Sequence, residues 1–347
     1  MTQYSLRLNQ IFQASLHNSD INSIAWKTSI SDTSSAAWLT VYPNKGQFYL
    51  ESPLFVNSMR RLLRIPLPNH IPGSKCNCKK QTRLDPFGDH MCACMYGPGR
   101  NRVHNMLAMQ ICQFARSAGC RSTIEPHNMF DASNKRPDGS IEGIGPKTIV
   151  FDVTVATPHP PQLSENGKRP FKPMSRKQAA IAGRAANVAR LRKNKKYVEI
   201  CNANNVEFCP IAIETSGRLD STTIELLKQI SELTAPLWQI KATIILKYWI
   251  KILSCTVQRE MARNIIQHTS RINGRLKQPI IDPLVQINRD DLVDSFTIDN
   301  IRFKSLQLRS GTCEIYTDLN YYGQHSRKPT STIVAIDETD VIAAETE

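Results

Sequence analysis

Residues 135–155 read KRPDGSIEGIGPKTIVFDVTV. Asp138 stands at the mouth of a Gly-rich turn, and Asp152 interrupts a run of β-formers made by Ile149, Val150, Phe151, Val153 and Val155. Neighbouring short strands therefore each deliver one carboxylate. An aspartate inside an apolar strand is costly to bury without a partner, and a divalent cation is a common partner for such a group. Two such acids can hold Mg²⁺ against a phosphodiester and activate a water. Alone, Asp138 before Gly139 reads as an ordinary turn former. The second acid, fourteen residues later, turns the reading towards a site.

Outward from this stretch, residues 100–118 carry apolar side chains at helical spacing (Val103, Leu107, Ile111, Phe114, Ala115), with Gly119 closing the end. Residues 121–130 read as a strand containing Glu125. Beyond the two acids, 157–173 is a proline-rich loop, 174–198 an Ala-rich helix, and 206–214 an apolar strand ending at Glu214. Helices follow over 222–233 and 235–269, the latter as one or two segments, with Trp238 and Trp249 in their packing face. The order is helix, three strands, long basic helix, strand, helix. A meander followed by a crossover predicts an α/β (α+β) fold, a mixed sheet flanked by helices.

Upstream, residues 73–99 exchange periodic apolar residues for Gly, Pro and Cys. Cys76, Cys78, His90 and Cys94 form a candidate zinc set, with Cys92 as a spare. Zn²⁺ favours four N/S ligands in a tetrahedron, and a small knot without a core needs such a staple. Further upstream, 4–16 has helical apolar spacing, 36–42 is a short apolar run with Trp38, and 54–65 is a basic amphipathic helix stopped by Pro66 and Pro68. The organisation expected is an N-terminal helical segment (1–72), a Cys/His zinc knot (73–99), a catalytic-size core (100–235), C-terminal helices (236–275) and an acidic, partly disordered tail (276–347).

The 347 residues carry a net charge of +14, unevenly spread. From residue 281 onward there are 6 Lys/Arg against 12 Asp/Glu, so the remainder of the chain holds about +20. A body this basic points to a polyanion, most simply nucleic acid. The charge is densest over 168–196, with 11 Lys/Arg and no Asp/Glu. A helix so loaded reads as an electrostatic rail for phosphates. Its candidate contacts are Arg184, Arg192, Lys193 and Lys195, and Arg100, His104 and Arg136 are further candidates elsewhere in the chain. Residues 1–20 are polar, which argues against a secretory leader, and no run reaches transmembrane length. The ten cysteines are then read as thiols in a reducing compartment, nuclear or cytoplasmic.

Pro137-Asp138, Asp152-Val153-Thr154 and a basic helix ending Lys195-Lys196-Tyr197 resemble the PD-(D/E)XK restriction-endonuclease-like pattern. Further pieces sharpen the resemblance: Ser35-Ala36-Ala37-Trp38-Leu39, the knot with Gly88-Asp89-His90, Gly99-Arg100 with His104-Asn105, Glu125-Pro126, and Ile213-Glu214-Thr215. Together they resemble the C-terminal zinc-knuckle and restriction-like endonuclease region of non-LTR-type retrotransposon reverse-transcriptase polyproteins. The resemblance covers roughly residues 35–255. It implies a metal-dependent DNA endonuclease that nicks target DNA, with structural Zn²⁺ and catalytic Mg²⁺. Asp138 and Asp152 would hold Mg²⁺, and a lysine would assist the attacking water. DNA is the implied partner, within a retroelement ribonucleoprotein.

This chain departs from the pattern at two places. Thr154 stands at the motif lysine position, so Lys196, or Lys193 one turn back, is the expected substitute. The helix 100–118 has no acid, so Glu125 is the expected substitute for the first-motif glutamate. There is no polymerase motif; Tyr316-Thr317-Asp318-Leu319 has one acid where two are needed. A catalytically inactive nucleic-acid-binding remnant of the same fold is the alternative reading, and a zinc-stabilised interaction protein the third.

Overall fold

The computed structural model describes residues 20–43, 46–67, 74–79, 81–94, 96–127, 129–130, 135–159 and 174–272. The helix expected over 4–16, the loop over 160–173 and the acidic tail lie outside the described residues. All those described belong to one unit, Phe12–Lys277. None of their helices is long and apolar enough to cross a membrane.

Four strands form one mixed sheet in the order β1-β2-β3-β4: β1 (Arg121–Ile124), β2 (Gly139–Glu142), β3 (Ile149–Ala156) and β4 (Glu207–Glu214). β1 to β3 are an antiparallel meander, and β4 lies parallel to β3 with Asp152 opposite Pro210. A parallel neighbour requires a crossover. It includes the helix α7 (Arg184–Ala203), preceded by the single turn α6 (Arg176–Ala179).

Strand alternation sorts the side chains into two layers. Ile149, Phe151 and Val153 join Ile141, Ile211 and Ile213 in the main core. This face packs on α5 (Gly99–Ser117) and α8 (Ser221–Trp238) through Leu107, Ile111, Leu227 and Ile230, and α9 (Ala242–Ile272) packs on those two helices, adding Leu253 to the same core. Val150, on the other face, packs with Phe130 and with Tyr197 and Cys201 of α7. Asp152 shares the parity of Val150 and so faces α7. Phe151 lies across Gly139, where any Cβ would strike its ring.

The N-terminal segment is α1 (Ile21–Ile30), α2 (Thr33–Ala36), a 3₁₀ turn (Ala37–Thr40) and α3 (Ser52–Leu62). Asp20 caps α1 and Asp32 caps α2 by accepting their first free N–H groups. The buried Glu214 carboxylate does the same for α7, accepting from the Ala185 and Ala186 amides at 3.1 and 3.3 Å. Its other oxygen accepts from the Ser29 hydroxyl of α1. The acid that ends β4 thereby joins strand, crossover helix and N-terminal segment.

Two sequence expectations need correction. The strand expected over 121–130 stops at Ile124, because Glu125 adopts a left-handed φ of +47° and Pro126 follows it. The helix expected over 174–198 is broken: Gly183, at φ +67°, separates α6 from α7. The apolar run 36–42 becomes the 3₁₀ turn. The region 235–269 resolves into the end of α8 and the 31-residue α9.

Phe114 of α5 stacks on Trp249 of α9 at 4.7 Å, and Trp238 meets the same ring edge-on at 6.2 Å. Trp249 is 1% exposed. Trp249→Ala is expected to cost about 3–5 kcal/mol of unfolding free energy, read by urea denaturation.

Candidate active site and metal knot

β2 begins at Gly139, one residue after Asp138, and the ladder there is irregular. The Asp138 amide donates to the Phe151 carbonyl at 3.1 Å, although Phe151 already opposes Gly139. The Asp138 main-chain carbonyl accepts from Glu125 at 2.8 Å. Its side-chain Oδ2 accepts the Val153 amide at 2.6 Å, a job a strand partner would normally perform. The Asp138 carboxylate is therefore bonded to the peptide that directly follows Asp152.

Each acid meets a basic group from a different helix. His104 of α5 places Nε2 2.8 Å from Asp138 Oδ2. Lys193 of α7 donates its ammonium to Asp152 Oδ2. Asp152 is 3% exposed, so this ion pair is largely desolvated on the acid's side. Burial alone would lower the His104 pKa. The hydrogen bond and charge of Asp138 reverse that, helped by Asn105 and Asp152, and raise it above the ordinary value. Burial, then the nearby charge of Asp152, hold the Tyr197 phenol far above its usual range, with Asp138 adding to the effect. Both acids thus act on the same imidazole and the same phenol.

Tyr197 also fixes the approach to Asp138. Its hydroxyl donates to the Arg136 carbonyl at 3.2 Å, while Lys135 Nζ donates to the Lys196 carbonyl at 2.9 Å. Residues 135–136 are thereby tied to the last turns of α7. Exposed Lys135, Arg136, Arg192, Lys195 and Lys196 give this end of α7 and the chain tied to it a cationic surface.

The other sequence-picked residues fall as follows. Lys196 does not reach the acids: its ammonium bonds the Tyr197 hydroxyl at 2.9 Å and lies over that ring. Lys193 is the lysine that reaches Asp152, for a reason already present in the sequence. The buried residues of α7 are Ala186, Ala189, Tyr197 and Cys201, and Lys193 lies in phase with that stripe. Glu125 pairs with Arg136 at 3.0 Å. Arg100 is exposed in the first turn of α5, and Arg184 opens α7 far from Lys193. His159, unassigned in the sequence, stacks on Trp26 and lies 3.0 Å from Asp89, which Arg64 also binds.

Among the described residues, one group of His, Cys, Asp or Glu donors closes to metal-binding spacing: Cys76, Cys78, His90 and Cys94, with ligand atoms all within 4.8 Å of one another. The carboxylate pair is not part of such a group. Cys76 Sγ and Cys94 Sγ are 3.6 Å apart, and Cys78 Sγ and His90 Nε2 are 3.7 Å apart. Tetrahedral zinc sets S···S and S···N edges of about 3.8 and 3.6 Å, so the group fits the ion. Burial raises the pKa of the Cys76 and Cys94 thiols. Cys92 sits on the short helix α4 (Asp89–Ala93), outside the group. These four residues can hold a zinc ion.

No protein-family model matches the chain, and no curated protein matches it.

Two tests follow from this geometry. Lys193→Ala strands a buried Asp152 and is expected to cost roughly 3 kcal/mol of stability. Lys196→Ala, on an exposed residue, is expected to change stability by about 0.5 kcal/mol or less, both read by chemical denaturation. Metal analysis of the purified chain is expected to give a single zinc per chain, which Cys94→Ser abolishes.

Proposed function

We propose that this chain is a metal-dependent DNA endonuclease domain from a retrotransposon-derived reverse-transcriptase protein, built on a PD-(D/E)XK core. The single observation that carries the reading is the bond from the Val153 amide to Asp138 Oδ2, beside Asp152 and its lysine. The mixed sheet flanked by helices is consistent with that core. The cationic end of α7 supports a polyanionic substrate.

Asp138 and Asp152 would hold Mg²⁺. Each spends Oδ2 on its protein partners, and hard carboxylate oxygens suit this ion, which completes its shell with water and substrate phosphate. When bound, Mg²⁺ supplies charge to a phosphodiester and acidifies a water. The chain's own groups do the rest. Lys193, held by Asp152, would supply the ammonium that the motif lysine supplies in the PD-(D/E)XK pattern. His104 steadies Asp138. Exposed Arg192, Lys195 and Arg136 grip backbone phosphates, which positions a duplex without reading its sequence. The zinc knot adds a rigid base at the start of α5. Action on chromosomal DNA places the protein in the nucleus, within a retroelement ribonucleoprotein.

A second reading is a catalytically inactive nucleic-acid-binding remnant. It is favoured by Thr154 at the motif position and by acids already engaged by His104 and Lys193. Nicking of supercoiled plasmid in Mg²⁺ separates the two. The endonuclease reading expects Asp138→Ala to reduce nicking at least about 100-fold while salt-sensitive DNA binding persists. Wild-type binding without any Mg²⁺-dependent nicking supports the remnant.

A further inference from the structure

The metal knot has a neighbour that its sequence spacing does not reveal. His268 belongs to α9, far along the chain, yet its Nε2 lies 3.2 Å from Cys76 Sγ. The residue is 0% exposed, and its Nδ1 is buried with no hydrogen-bond partner. Tyr96 and His90 meet its ring edge-on at 5.7 and 6.4 Å. An imidazole sealed in this way keeps its polar atoms there for a reason, since an unpaired buried polar group is costly.

Three thiolates around Zn²⁺ leave one negative charge in excess. Two main-chain groups inside the knot answer it: the Cys78 amide donates to Cys76 Sγ at 3.3 Å, and the Tyr96 amide to Cys94 Sγ at 3.4 Å. His268 touches Cys76 but does not join the group of four whose ligand atoms all converge. We propose that His268 is a positioning residue of the metal centre, donating Nε2–H to the Cys76 thiolate from outside the ligand set. It is the side-chain member of that set of donors, and it makes α9 part of the centre. Neighbouring contacts keep α9 in place for this: the Asn264 amide group donates to the Met91 carbonyl at 2.8 Å, and Asn264 fills the space where Gly99 would carry a Cβ. The inference rests on the knot holding a metal and is independent of the endonuclease reading.

The test uses the full chain loaded with Co²⁺, and with Zn²⁺ under chelator competition, for wild type, His268→Leu and His268→Gln. Leu and Gln leave similar gaps in the packing, but Gln keeps an N–H donor. The expected result is a three-sulfur, one-nitrogen Co²⁺ spectrum in all three. The Leu variant should release metal about 10- to 100-fold more readily, and the Gln variant should recover most of that loss. Equal metal retention by Leu and wild type overturns the proposal. So does an equal loss in Leu and Gln, which would mark packing alone. A spectrum that loses its nitrogen ligand in the Leu variant also overturns it, because His268 would then bind the metal directly. A wild-type chain that takes up no Co²⁺ or Zn²⁺ overturns the knot itself, a result distinguishable from the others because it precedes any substitution.

Discussion

The hydrogen bond from the Val153 amide to the Asp138 carboxylate is the constraint on which the candidate active site depends. β3 runs on beyond the start of β2, so the Val153 amide would lack a main-chain partner at that point. An unpaired amide inside a sheet is costly, and the Asp138 side chain removes that cost. In doing so the carboxylate is fixed beside the peptide of Asp152, before any other group is considered. His104 and Lys193 then approach from opposite layers, His104 from α5 and Lys193 from α7. The arrangement needs the strand mismatch; an ideal hairpin would give the Val153 amide a carbonyl and leave Asp138 free to turn to solvent.

The second constraint is the burial of Asp152. A carboxylate 3% exposed in an otherwise apolar strand persists only with a partner of opposite charge. The partner comes from the crossover helix, whose rotation is set by its small and aromatic buried face. α7 is in turn held at its first turn by Glu214, from the strand that the crossover delivers. Strand order, helix phase and ion pair are thus mutually consistent, as expected of a sequence that specifies one structure.

Much of this was legible in the sequence, and the reasons differ by element. The order of helices and strands followed from apolar periodicity, which tertiary packing preserved. Cys76, Cys78, His90 and Cys94 were found because knot ligands lie close together in the chain. The choice between Lys193 and Lys196 was harder. A run of cations offers a charge on every side of the helix, and only the stripe through Ala186, Ala189, Tyr197 and Cys201 selects one of them. Glu125 looked like a strand residue because its left-handed backbone leaves no mark in a single side-chain type. His268 could not be found by spacing, since its relation to Cys76 exists only after α9 has folded back over the knot. Its one sequence trace is weak: a histidine in phase with the buried stripe of a long helix that also holds Asn264 and Ile265.

The contacts of α9 with residues 76–99 bear on modularity. Small Cys/His knots are usually thought of as beads that can be cut from one chain and spliced into another. Here Asn264, His268 and Thr269 reach in from a helix that also carries Trp249 in the central core. The knot therefore lacks a boundary of its own. Grafted elsewhere by its local sequence, it would leave behind part of its wall, and the donor protein would lose the floor beneath α9.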